Sequence, residues 1–148
     1  MTNKHSMHVH TTRLPLRWGD MDALGHVNNT AYFQFMEEAR TGWIRAAFPR
    51  PPGAPPTPVV VVNASCTFLV PLEFPGEVEV RMAVGDPGRT SVGSHYEIWK
   101  DGVKHAEGAA KLVWLDEATG RPTPLPAPLV AALHAAAGAA NPMGEASR

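Results

Sequence analysis

Residues 17–29 read Arg-Trp-Gly-Asp-Met-Asp-Ala-Leu-Gly-His-Val-Asn-Asn and place two carboxylates, two glycines, an imidazole and two side-chain amides in one short loop. An apolar pattern of helical period begins at Thr30, straight after it. The first N–H groups of a helix have no intrahelical partner and point at whatever negative charge lies before them. A loop that carries acids into a helix start therefore sets an acid or base beside a ready oxyanion site. That pairing is the minimum needed for hydrolysis of an activated acyl group. Asp22 is able to attack a carbonyl or to deprotonate a water; the alternative is an Asp hydrogen-bonded within a turn. Asp20, two residues earlier, is read as an anchor that holds the loop. Gly25 suits a tight turn with positive φ, and Asn28 or Asn29 suits the helix N-cap.

The elements that position this loop follow from the spacing of apolar residues. Residues 11–18 read as a first strand. From Thr30 to about Phe48 the period is helical, with Tyr32, Met36, Ala39, Trp43 and Ala46 on one stripe and Phe33, Ile44 and Phe48 widening it. Glu37, Glu38 and Arg40 mark its polar side. Six prolines in residues 49–58 exclude helix and central strand, so this segment is a stiff loop that rims a pocket or simply connects. Beyond it the period is two. Residues 59–70 read as a long strand, Val78, Val80, Met82 and Val84 alternate with charged residues, and residues 90–100 and 103–115 pair through an Asp101-Gly102 hairpin turn. The tail from Thr119 is rich in proline and alanine, with a short helix expected over 127–137. One buried helix and about five antiparallel strands predict an α+β fold in which a curled sheet wraps the helix.

The chain of 148 residues suits one domain, with residues 1–11 a flexible N-terminus and 119–148 a C-terminal tail. A net charge of −1 and the lack of any basic run argue against nucleic acid. No apolar stretch approaches the ~20 residues that span a bilayer, and the first twelve residues lack the apolar core of a signal peptide. The chain is read as cytoplasmic, without a membrane partner. The single cysteine, Cys66, fits a reducing compartment and a packing role. Of seven histidines, His5, His8 and His10 fall in the expected mobile terminus, and the rest have no metal-ligand spacing. No metal and no cofactor are expected.

Three blocks together resemble the hotdog-fold acyl-CoA thioesterases of the 4-hydroxybenzoyl-CoA thioesterase type: RWGDMDALGHVNNTAYFQFMEEAR, NASCTFLVPLEFPGEVEVR and GRTSVGSHYEIWKDG. The likeness covers roughly residues 14–115. Within the second block, L-x-P-L-x-F-x-G-E-V reads as a strand pair. The HVNN run departs from the 4-hydroxybenzoyl enzymes and is more similar to broad acyl-CoA members. The resemblance implies a sheet curled around a central helix and an edge-to-edge homodimer, or a homotetramer built from it. It implies active sites at the dimer interface and an acyl-CoA substrate. It gives Asp22 the catalytic carboxylate and Asn29 the backbone N–H that receives the thioester oxygen. His26 and Asn28 would orient the thioester or a water. Gly25 and Tyr32 join Asn28 on the substrate side. Arg89, Thr90 and Ser91 match a block near the pantetheine and nucleotide path, where Arg89 offers forked donors to phosphate; its other reading is a solvated hairpin charge. A non-catalytic acyl-CoA or acyl-carrier-protein binding module is the competing function.

Overall fold

The computed structural model describes residues 6–140. Strand β1 (Met7–Pro15) leads through a single 3₁₀ turn (Trp18–Asp20) to helix α1 (Asn29–Ala47). Strands β2 (Val59–Phe68), β3 (Glu77–Gly85), β4 (Ser91–Lys100) and β5 (Val103–Trp114) follow, then helix α2 (Ala127–Ala140). All five strands form one antiparallel sheet in the order β1-β3-β4-β5-β2. This is the hotdog arrangement of a curled sheet around one long helix.

Alternation in the strands decides which face meets α1. Val78, Val80, Met82 and Val84 of β3, Val92, Tyr96 and Ile98 of β4, and Ala106, Ala110 and Leu112 of β5 are buried on one face. They meet Tyr32, Phe35, Met36, Ala39 and Trp43 of α1 in one core. Phe35 takes an inward place, while Phe33 and Ala46, assigned to the buried stripe, are exposed. A side chain at residue 108 would have its Cβ well inside contact of Met36 Sδ, so a glycine there lets α1 lie close on β5. On the other flank, a Cβ at Gly42 would stand 2.7 Å from His10 Nε2. The core's polar groups are satisfied in series. Arg40 donates to Tyr96 Oη (3.2 Å), Tyr96 to Ser94 Oγ (2.8 Å), and Ser94 to Ala110 O (2.8 Å).

Within the described residues, both flanks of the fold are more ordered than the sequence suggests. β1 starts at Met7, which pairs with Val84, so His8 and His10 belong to a strand and not to a mobile terminus. Backbone pairing with β3 overrides the polar side chains there. His5 lies outside the described residues. Toward the other end the expected helix forms as α2, and Leu125, Leu129 and Leu133 are buried, so the described part of the tail packs onto the core. The expected Asp101-Gly102 turn forms with φ of 50° and 75°.

Strand β2 lies at the sheet's edge, hydrogen-bonded to β5 alone. It ends at Phe68, and residues 69–76 form a connection, not the strand pair read from the sequence. Pro71 and Pro75 withdraw two backbone donors from any ladder there. β2 exposes Val60, Val61, Val62 and Phe68.

Gly108→Ala should lower unfolding free energy by about 1–3 kcal/mol, because the new methyl must displace a buried Met36. Gly138→Ala, on an open helical position of α2, should instead stabilise by up to about 1 kcal/mol. Urea midpoints of the two variants against the parent check both signs.

Candidate functional site

After β1 the chain is tied at both sides of the motif loop. The Leu16 N–H donates to Gly76 O at 2.8 Å. Asp20 is buried at 6% exposure, and its carboxylate accepts from the Arg17 N–H (2.8 Å) and from Arg17 Nη2 (2.9 Å). That carboxylate raises the Arg17 guanidinium above its ordinary pKa, through the hydrogen bond first and charge second. Its main-chain carbonyl accepts the Asn28 N–H at 2.8 Å. Asp20 is thus committed to the loop's framework.

Asp22 stands at the head of a tight turn. Its N–H donates to His26 O (3.0 Å), and its carbonyl accepts from the Gly25 N–H (3.1 Å). Gly25 takes φ 82°, the left-handed value that makes glycine suitable. One carboxylate oxygen, Oδ1, accepts the Leu24 N–H at 2.9 Å. Among the described residues the other oxygen has no partner. His26 lies with Nε2 3.6 Å from the Glu73 carboxylate.

The helix start separates the roles of the two asparagines. Asn28 is the N-cap: its side-chain oxygen accepts the Thr30 N–H at 2.9 Å. Its main-chain carbonyl accepts the Ala31 N–H at 2.9 Å. Asn29 is the first helical residue, and among the described residues its N–H has no acceptor. Asp22, His26, Asn29 and Tyr32 share a cleft of about 320 Å³ with residues 68–71, and Leu24 and Val27 complete its lining. Tyr32 meets Phe68 edge-on, with ring centres 4.9 Å apart. Burial raises the Tyr32 phenol above its usual pKa, against a lowering by the Leu72 backbone. Burial also pushes the Cys66 thiol up to about 11, which keeps it protonated at neutral pH and unsuited to attack.

Arg89, Thr90 and Ser91 are elsewhere. Arg89 and Thr90 precede β4 and Ser91 opens it, while the far end of β4 and the start of β3 lie with the motif loop. A ten-residue strand spans about 30 Å, so within one chain these residues do not reach the Asp22 cleft. Their carbonyls serve the fold by accepting from Leu125, Trp114 and Gly88. The proline loop does rim a hollow, of about 490 Å³, with Ile44, Phe48, Pro55, Pro56 and Val59 at the C-terminal end of α1. Another hollow, beside His8, Arg81 and His95, contains no part of the motif loop. Among the described residues no group of three or more His, Cys, Asp or Glu side chains is placed to hold a metal, and no helix is long and apolar enough to cross a membrane. The sequence reading assigned no role to Glu73 or to the connection at 69–72. Its signal was the pair of prolines, Pro71 and Pro75, inside the second block.

Residues 16–133 match the family model described as the thioesterase-like superfamily. The chain belongs to that superfamily. A candidate thioesterase from Pseudomonas aeruginosa is 38% identical over 86% of this chain and 99% of its own, with a TM-score of 0.77. A thioesterase from Thermus thermophilus, solved with coenzyme A and Zn, is 29% identical over 88% and 96% of the two chains, with a TM-score of 0.70. A candidate acyl-CoA thioesterase from Xanthomonas campestris is 27% identical over 80% and 100%, with a TM-score of 0.69. No protein of curated function matches the chain. Thioester hydrolysis is the class of reaction that membership in the thioesterase-like superfamily supports. The match is coarser than the 4-hydroxybenzoyl-CoA type that the motif resembles.

Asn28→Ala should lower unfolding free energy by about 1 kcal/mol, while Asn28→Ser should cost only a few tenths. Asn29→Ala, which leaves the cap intact, should stay within about 0.5 kcal/mol of the parent. Denaturant titration of the three variants checks the order.

Proposed function

We propose that this protein hydrolyses acyl-CoA thioesters to a free acid and CoA, with Asp22 and the Asn29 N–H as its working groups. The observation that carries the reading is their common cleft: a carboxylate oxygen and a helix-start N–H, both without a partner among the described residues, line one hollow. The thioester carbonyl oxygen would sit on the Asn29 N–H, where the developing negative charge is met by a fixed donor and the helix start. Asp22 then attacks the carbonyl carbon. The C–S bond breaks, the thiolate leaves and takes up a proton, and water opens the mixed anhydride to restore the carboxylate. Asp22 acting as base on a water reaches the same products in one addition. His26, in the same cleft, orients the thioester or water. Neither route draws on a metal or an organic cofactor.

The edge strand supports a twofold partner. β2 carries unpaired backbone groups and exposed valines, the kind of edge that chains cover by pairing. Antiparallel pairing of β2 with its copy would set the Val59 end of one chain beside the Phe68 end of the other. The loop of Arg89, Thr90 and Ser91 adjoins the Val59 end through Trp114. A homodimer, or a homotetramer made from it, would therefore bring those three residues to the partner's Asp22 cleft.

Asp22→Asn keeps size and removes charge, so turnover of acyl-CoA should fall at least about a hundredfold. Binding of the substrate and the circular dichroism spectrum should be unchanged. Asp20→Asn should lose less. Parental turnover in Asp22→Asn beside a dead Asp20→Asn would reverse the assignment, and binding without turnover by the parent would favour a non-catalytic module. Light scattering should give a dimer or tetramer at micromolar concentration; a stable 15.9 kDa monomer would count against the two-chain site.

A further inference from the structure

The connection at 69–76 runs from the edge strand past the ends of β5 and β4 to β3. It has no ladder of its own, so its carbonyls need donors from elsewhere. The hairpin of β4 and β5 supplies them. His105 Nδ1 lies 3.1 Å from Val70 O and 3.1 Å from Pro71 O. Carbonyl oxygens only accept, so Nδ1 carries the proton. The His105 carbonyl in turn accepts the N–H groups of Leu69 (2.8 Å) and Val70 (3.1 Å). Beyond Leu72, Lys100 Nζ donates to Glu73 O at 2.7 Å. Leu72 sits between these two pins with its residue fully buried, and its carbonyl accepts the Val27 N–H at 2.8 Å. Val27 stands two residues before Asn29.

We infer that His105 is a positioning residue for the cleft. Its Nδ1 proton holds residues 70–71 so that the Leu72 carbonyl fixes Val27, and through Val27 and the capped Asn28 the Asn29 N–H that receives the acyl oxygen. The inference rests on the reading of Asn29 as the oxyanion donor. His105 touches no reacting atom. It acts because a misplacement of about 1 Å at a reacting centre costs up to about a hundredfold in rate.

Three substitutions in the full chain test the position of that proton. His105→Asn keeps a donor where Nδ1 stands, His105→Gln moves it to the place of Nε2, and His105→Ala removes it. Each is measured twice: by steady-state hydrolysis of the acyl-CoA the parent turns over fastest, and by hydrogen exchange at the Val27 amide without substrate. Ala and Gln should lower kcat about tenfold with KM within about twofold, while Asn should stay within about twofold of the parent in kcat. Val27 exchange should quicken in Ala and Gln and remain slow in Asn. Equal behaviour of Gln and Asn, or parental Val27 exchange in Ala, would overturn the inference. A parent that hydrolyses no acyl-CoA would overturn the proposed function instead, and Val27 exchange in the same variants would then decide the role of His105 by itself.

Discussion

Helix α1 lies where it does because β5 has no side chain at residue 108. The space that a methyl would need is filled by Met36, the largest fully buried side chain of the helix. The opposite flank is set in the same way, by His10 against Gly42. These two close approaches fix the axis of α1 over the sheet, and the position of its first residue follows. Every feature of the cleft is measured from that first residue. Asp20 then ties the preceding loop to the helix start, through a carboxylate on Arg17 and a carbonyl on the Asn28 N–H. The loop is rigid because it is bonded at both ends, not because its own sequence is stiff.

Local chemistry in this chain was legible because local geometry suffices for it. The Asp101-Gly102 turn, the alternation of β3 and the stripe of α1 each follow from spacing within a few residues. Asp20, Asp22, Gly25 and the two asparagines lie in one loop, so their gathering at the helix start was legible as well. What sequence did not show depends on contacts between distant residues. His8 and His10 read as a polar terminus until β3 is placed alongside. Phe33 and Phe35 differ in burial by their angle around α1, which a widened stripe does not resolve. Arg89, Thr90 and Ser91 match a family block, yet the length of β4 keeps them from Asp22 within one chain. The segment at 69–71 carries strand-like residues, and only its crossing past the ends of β4 and β5 reveals it as a wall of the cleft.

The sheet is finished on its buried face and unfinished at its β2 edge. Burial alternates along β3 and β4 up to their last residues, and the polar line through the core is satisfied from Arg40 to the Ala110 carbonyl. At β2 almost every residue is exposed, although the strand opens with four valines and ends on Thr67 and Phe68. A sequence of that composition gains little from solvent. On the proposed reading, the same edge that completes the sheet also completes the site, so assembly and chemistry are one structural event.

The Leu24 N–H on Asp22 has a consequence of its own. A free carboxylate is symmetric, and either oxygen meets an incoming carbonyl by a simple rotation. Here one oxygen is tethered, so the two are distinguishable before any ligand arrives. The turn that Gly25 permits is what brings the Leu24 N–H onto that oxygen. On the proposed reading, the untethered oxygen is the one left to meet an acyl carbon. The choice between two chemically identical atoms is in this way already written into the backbone of a four-residue turn.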